Sequence, residues 1–256
     1  MKTFTSDFEK LLILVKNKVP FTFSRFSDGE LFILQNKKLV ISKGNVQIGD
    51  KSEEGGHPQS DFKNFDPNSL KGTDLRTKLL DSLRYAAINY IKGISCKCCN
   101  GDIDTNWIRT LSNEPDDNNL TWANILINGN YERFITEMVP EFKKYDSIYM
   151  VCNKKANITT LPFAEKVVGV WDITANAMIS CTGIIPQLLK ELEKYSLMPQ
   201  NTNNILVLLS ASSLSNLIAH NIHRYYGPRF TTIDVGSSLN YYMRMPINRS
   251  YLEGHW

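Results

Sequence analysis

The sequence predicts an α/β protein with a mainly parallel, doubly wound sheet and helices on both faces. Three observations carry that prediction. Short apolar runs recur through the second half, at Ser147–Cys152, Val167–Val170, Asn204–Leu209 and Phe230–Gly236. Stretches with helical periodicity separate them, the best marked being Ile184–Tyr195 and Leu214–Tyr225. Alternation of buried-type strands with helices at this spacing is the signature of parallel β-α-β units. Each strand also ends in small or polar residues, the side of such a sheet on which ligands bind.

The elements follow in order. Ser6-Asp7-Phe8-Glu9 opens a helix carrying Leu11, Leu12 and Val15, and Pro20 closes it. Residues 21–26 alternate aromatic and small polar side chains as a strand does. Arg25, Asp28, Gly29 and Glu30 follow, then a helix to about Lys37 or Lys38. From Gly44 to Gly72 the chain is rich in Gly, Asn, Asp, Ser and Pro and reads as a long loop, within which His57 is a solvated histidine. A strongly amphipathic helix is expected over Thr73–Ile91, stopped by Gly93, with a short strand at Ile94-Ser95-Cys96. A helix over Asp102–Leu111, a loop at 113–119, the apolar segment from Leu120 and a helix over Tyr131–Lys144 complete the first half. A short helix at Thr160–Lys166 and a helix within Asn176–Tyr195 belong to the second.

Composition excludes several classes of function. The chain has 256 residues, 42% hydrophobic and 21% charged, which makes one large α/β domain or two small ones with a real core. Net charge is only +3 and no Lys/Arg-rich block occurs, so nucleic-acid binding lacks its electrostatic footprint. The N-terminus carries two acids and no continuous apolar core, which argues against a signal peptide. No apolar run approaches the roughly 18 residues of a membrane span, and a cytoplasmic protein is expected. Of five cysteines, three crowd into Cys96-Lys-Cys-Cys99; the second pair of a zinc site is missing, so reduced thiols are expected.

The residues that follow each predicted strand are the candidates for chemistry: Arg25, Asp28 and Glu30; Asn153 and Lys154; Asp172; Ser210, Ser212 and Ser213; Asp234 and Gly236. Asp28 and Glu30 bracket a glycine at a strand end, so their carboxylates can serve a hard cation, Mg²⁺ or Mn²⁺, that shares its remaining positions with water and phosphate oxygens. Arg25 beside them can grip a phosphate. The bland alternative is an ordinary capped turn at Ser27–Glu30. Ser210-Ala-Ser-Ser213 lacks the Gly-Lys-Ser/Thr ending of a Walker A loop and the spacing of a dinucleotide loop, but its hydroxyls and N–H groups can meet a phosphate. A Ser212/His220/Asp234 triad lacks a Gly-x-Ser-x-Gly elbow and is set aside. The combination suggests a metal-bridged diphosphate.

Phe23-Ser-Arg-Phe-Ser-Asp-Gly-Glu-Leu resembles the Arg-Phe-Gly-Asp-Gly-Glu signature of the GT-D-type glycosyltransferases. Leu120-Thr-Trp-Ala-Asn124, the 148–153 strand, 204–209 and Phe230-Thr-Thr-Ile-Asp-Val-Gly236 fall in that family's order, so the resemblance spans most of residues 5–240. It implies one Rossmann-like domain that binds a UDP-sugar and a divalent cation, transferring a hexose to a glycan or other hydroxyl acceptor. Asp28 and Glu30 match the metal motif and Arg25 its arginine. Asn124 and Asn176 fall in segments similar to the nucleotide-side loops, and Asp234 matches the C-terminal aspartate. Asn153 and Ser213 are further ligand contacts. An inverting reaction needs a base, for which Glu30, Asp172 and Asp234 are candidates. Ser27 stands where the family commonly has glycine, and Ser210–Ser213 replaces a Gly-Pro-containing turn. The tail 241–256, with Arg244, Arg249, His255 and Trp256, has no counterpart. A phosphotransferase or nucleotide hydrolase on the same scaffold, or a non-catalytic module binding a sugar nucleotide or glycan, are the alternatives; a homodimer is left open.

Overall fold

Seven strands rich in β-branched and aromatic residues pair all in parallel, and the central ones are buried on both faces, as parallel strands must be when helices cover each side. The computed structural model describes residues 4–53, 62–114, 117–197 and 204–246. In chain order they form α1 (Phe4–Lys16), β1 (Thr22–Phe26), α2 (Asp28–Leu34), β2 (Leu39–Ser42), β3 (Asn45–Ile48), β4 (Lys51–Glu53), β5 (Lys63–Phe65), α3 (Leu70–Arg84), β6 (Tyr90–Ile94), α4 (Lys97–Leu111) and β7 (Leu120–Trp122). Next, α5 (Tyr131–Arg133) runs through a π-helical turn (Phe134–Met138) into α6 (Val139–Phe142). Then come β8 (Ser147–Asn153), β9 (Val167–Ile173), α7 (Ala177–Ser180), α8 (Ile184–Ser196), β10 (Ile205–Leu209), α9 (Ser213–Tyr226) and β11 (Thr231–Asp234). The large sheet has the order β7-β6-β1-β11-β10-β8-β9. This is the expected Rossmann-like α/β architecture. No helix among the described residues is long and apolar enough to cross a membrane.

Alternation along the strands sorts the core into layers. Phe23, Ile148, Met150, Leu206, Leu208 and Ile233 meet α1 and the helical stretch 131–142. Tyr149, Val151, Val207 and Leu209 face the opposite way, against Leu188 and Leu192 of α8 and Leu214 and Ile218 of α9. A third cluster joins Phe26 and Ile94 to α2, α3 and the small sheet. Such burial contributes about 25 cal/mol per Å² of apolar surface.

Two expectations change. The stretch 44–72, expected as a loop, carries three of the four strands of an antiparallel sheet ordered β4-β3-β2-β5. Its polar composition suits a sheet that buries only Leu39, Ile41 and Phe65 against the domain. Lys43 and Gly44, both at positive φ, make the two-residue hairpin between β2 and β3. His57 lies outside the described residues, as do Arg249, His255 and Trp256 of the tail. The helix expected over 73–91 ends at Arg84, and Tyr90–Ile94 is instead β6, paired with β1 from Thr22↔Tyr90 to Phe26↔Ile94. Pairing with a central strand overrides the helical pattern there. Gly93 consequently sits mid-strand, where a Cβ would come within 3.0 Å of the Phe23 ring and the Ala123 backbone. Smaller shifts are that α2 stops at Leu34, the helix expected over Thr160–Lys166 is two 3₁₀ turns, and 176–195 divides into α7 and α8.

Candidate functional site

The parallel pairing of β1 with β11 and of β11 with β10 brings three strand ends together. Ser27 caps α2 in an extended conformation, and its N–H donates to Glu30 Oε2 at 3.1 Å. The other Glu30 oxygen accepts from Ser213 Oγ at 2.6 Å, so Glu30, 7% exposed, ties the start of α2 to the start of α9. Asn216, one turn into α9 and fully buried, donates to Ser24 Oγ at 3.1 Å and to the Arg25 carbonyl at 2.7 Å. Ser210 Oγ donates to the Gly236 carbonyl at 2.6 Å. The three turns are therefore bolted to one another by side chains.

Arg25 projects from this framework. Its Nε donates to the Ala123 carbonyl at 2.5 Å, while its terminal nitrogens donate to no described residue. Gly236 makes room for it: φ is +52°, and a Cβ there would lie 1.9 Å from Arg25 Nη1. Asp234 is buried behind, its Oδ1 accepting from the Gly236 N–H at 3.0 Å. Burial pushes the Asp234 carboxyl up to about 7; the nearby Arg25 charge opposes the shift, and the negative charge of Glu30 adds to it.

Asp28 occupies the same turn but faces outward. It is exposed, and Oδ1 accepts from Asn100 Nδ2 of α4 at 2.8 Å. Next to Ala123, Asn124 contacts Cys96 Sγ through Nδ2 at 3.6 Å, and its enclosed Oδ1 has no partner among the described residues. The remaining predicted residues stand apart. Asn153 ends β8 and folds its Oδ1 onto the Lys155 N–H at 3.0 Å. Asn176 accepts from the Asn64 N–H at 3.0 Å and donates its own N–H to the Phe62 carbonyl, fastening the small sheet to the turn before α7. Asp172 is exposed on the outer strand β9. His220 packs at a tilt of 54° against Tyr85 with centroids 4.9 Å apart, and no bond joins it to Ser212 or Asp234.

The donor set suits a hard cation in a limited way. Asp28 offers an exposed carboxylate, and a small divalent ion needs only one or two such groups when substrate phosphates supply the rest. Both Glu30 oxygens already accept hydrogen bonds, so Glu30 braces the turn that presents Asp28. Among the described residues no three His, Cys, Asp or Glu side chains cluster as a self-contained metal site.

Sequence reasoning missed Asn100 and Asn216. Asn216 left a signal: an amide inside the apolar run Leu214–Ala219 must bury its polar atoms and find partners. Asn100 left none, because only the fold carries α4 to β1. Compared with protein-family models, curated proteins and solved structures, the chain shows no match, so its function is argued from this geometry.

Proposed function

We propose that the chain is a metal-dependent glycosyltransferase that takes a hexose from a nucleotide sugar, UDP-linked by preference, and passes it to a hydroxyl acceptor. The observation that carries this reading is Arg25: pinned through Nε, seated over Gly236, with its terminal donors unspent at the carboxyl end of a central parallel strand. A guanidinium held this way is suited to bidentate bonds with a phosphate oxygen pair. Ligands of open parallel sheets bind at this edge.

Asp28 would hold Mn²⁺ or Mg²⁺ here, and Glu30 would keep its turn in place. The cation supplies charge neutralisation on the departing diphosphate. Arg25 stabilises the same leaving group from the protein side. Asp234, only 5% exposed, acts as the counter-charge that orients Arg25 rather than as the base for the acceptor. Asn124, with an enclosed oxygen lacking a partner, is ready to accept from a donor on the nucleotide or sugar.

Calorimetric titration of UDP, with and without Mn²⁺, into wild type, Arg25→Ala and Asp28→Asn tests the site. Wild type should bind UDP more tightly with Mn²⁺. Arg25→Ala should weaken binding at least about tenfold, or about 1.4 kcal/mol. Asp28→Asn should remove the metal dependence alone. Turnover of UDP-hexoses with release of UDP then separates a transferase from a hydrolase, which releases phosphate. Equal binding by all three proteins would overturn the reading.

A further inference from the structure

Cys96 and Cys98 flank the start of α4, beside the residues just described. Cys96 is buried at the helix N-cap, Cys98 is exposed, and their sulfurs lie 2.6 Å apart. That is close to the roughly 2.05 Å of a disulfide, and an i, i+2 pair at the end of a strand can bring its sulfurs into bonding range. The turn that carries them is separable from the rest of α4. Gly101, at φ 73° and ψ 174°, breaks the helix just after Asn100, so residues 97–100 form a unit hinged on the body of α4. This small unit reaches the site twice. Asn100 holds Asp28, and the Cys96 sulfur contacts Asn124.

We infer that Cys96 and Cys98 form a reversible disulfide that shifts the first turn of α4 and withdraws Asn100 from Asp28. The oxidant is a low-molecular-weight disulfide such as oxidised glutathione. The exposed Cys98, as thiolate, attacks one sulfur of the oxidant, forming a mixed disulfide and expelling one thiolate. Cys96, as thiolate, then attacks the Cys98 sulfur, closing the ring and expelling the second. The protein gives up two electrons and two protons, and two molecules of small thiol are formed. Access fits the order of events, because the outer sulfur meets the oxidant and the buried one resolves it.

The inference rests on the proposed function only for its consequence at the substrate. The full chain is treated with oxidised glutathione and examined by peptide mass mapping and amide hydrogen exchange, before and after dithiothreitol. Expected is a peptide lacking two hydrogens, linked 96 to 98, formed by wild type and by Cys99→Ser but not by Cys98→Ser. Exchange should rise in residues 97–100 and at the start of α2, stay unchanged in α9, and revert on reduction. A stable glutathione adduct on Cys98 with no ring closure, or a ring that leaves exchange in 97–100 unchanged, would overturn the inference. UDP titration of the two forms separates the two ideas. Binding at least about tenfold weaker when oxidised links the ring to the site. UDP binding by neither form defeats the nucleotide reading, while the mass and exchange results still decide the disulfide.

Discussion

Two cationic side chains stand on neighbouring strands one residue out of register, Lys92 on β6 opposite Ser24 and Arg25 on β1 opposite Gly93. Lys92 is wholly buried, and its Nζ donates to the carbonyls of Leu83, Tyr85 and Ser112 at 2.9, 3.2 and 2.8 Å. It also meets Glu114 Oε1 at 2.7 Å. These carbonyls lie at the C-terminal ends of α3 and α4, where helices leave acceptors unpaired and favour a positive charge. Burial lowers the Lys92 pKa, and the Glu114 carboxylate opposes that. Arg25 is only partly buried and spends a single side-chain hydrogen bond. The two differ in burial, and they differ further in saturation: the ammonium that uses every donor holds the fold together, and the guanidinium with donors in hand is the one that the proposed function assigns to a ligand.

The largest expected effect breaks the saturated member. Lys92→Met strands Glu114 and three helix-end carbonyls in the interior, and removing one partner of a buried ion pair destabilises by about 3–5 kcal/mol. Urea unfolding should show that loss, with part of it recovered in Lys92→Met/Glu114→Gln. Arg25→Ala should lower the unfolding midpoint much less, because the buried Asp234 beside it can take up a proton when its counter-charge is gone, while weakening UDP binding at least about tenfold. Similar stability losses in both single variants would erase the contrast.

Gly236→Ala sharpens the comparison by disturbing Arg25 without deleting it. The left-handed backbone adds about 1 kcal/mol of strain for a residue with a Cβ, and that Cβ would sit 1.9 Å from Arg25 Nη1. The guanidinium must move. UDP affinity should fall by roughly tenfold, with a modest drop in the urea midpoint. Unchanged affinity would show that Arg25 is not held in the binding geometry.

Asp234 should impose a pH dependence on stability. Its folded pKa, about 7, lies above the ordinary 3.8, so its stabilising contribution is complete below about pH 4 and is lost as pH rises through 7. At about 1.4 kcal/mol per unit, the loss is of the order of 4 kcal/mol. His220 works in the opposite sense. Burial holds its pKa down near 4, so its contribution is present above about pH 6.5 and lost as pH falls through 4. Comparing urea midpoints of wild type and Asp234→Asn across this range isolates the aspartate. The variant should lose less stability on going to alkaline pH; parallel curves would sink the assignment.

Legibility in the sequence tracked how local the cause was. The strand Ile205–Leu209 and the turn after β1 were readable because apolar runs, caps and strand-end carboxylates are neighbours in the chain. The β6 strand was not, since Tyr90 and Ile91 continue a helical pattern and become a strand only by pairing with β1. The role of Lys92 was hidden for the same reason; its four partners arrive from two helix ends and the segment after α4. Within the candidate site, sequence named Arg25, Asp28, Glu30, Ser213 and Asp234. It gave no hint that Glu30 turns inward to Ser213 while Asp28 turns outward, or that Asn176 serves the small sheet.

The smallest expected effect concerns Ser212. It sits at φ 52° and ψ −147°, close to a region populated almost only by glycine, in the turn between β10 and α9. Its side chain is exposed and bonds to no described residue, while its carbonyl accepts from the Ser215 N–H, a bond that any residue can make. Ser212→Gly should therefore raise stability by about 1 kcal/mol, against the order of 1–3 kcal/mol such strain costs a side-chain-bearing residue, because glycine's looser unfolded chain returns part of it. Urea unfolding measures the gain, and UDP titration says what the serine is for. A stabler protein with weaker UDP binding places the hydroxyl on the diphosphate beside Arg25. A stabler protein with unchanged binding leaves the strain to the geometry of the turn, and Arg25 as the donor that recognises phosphate.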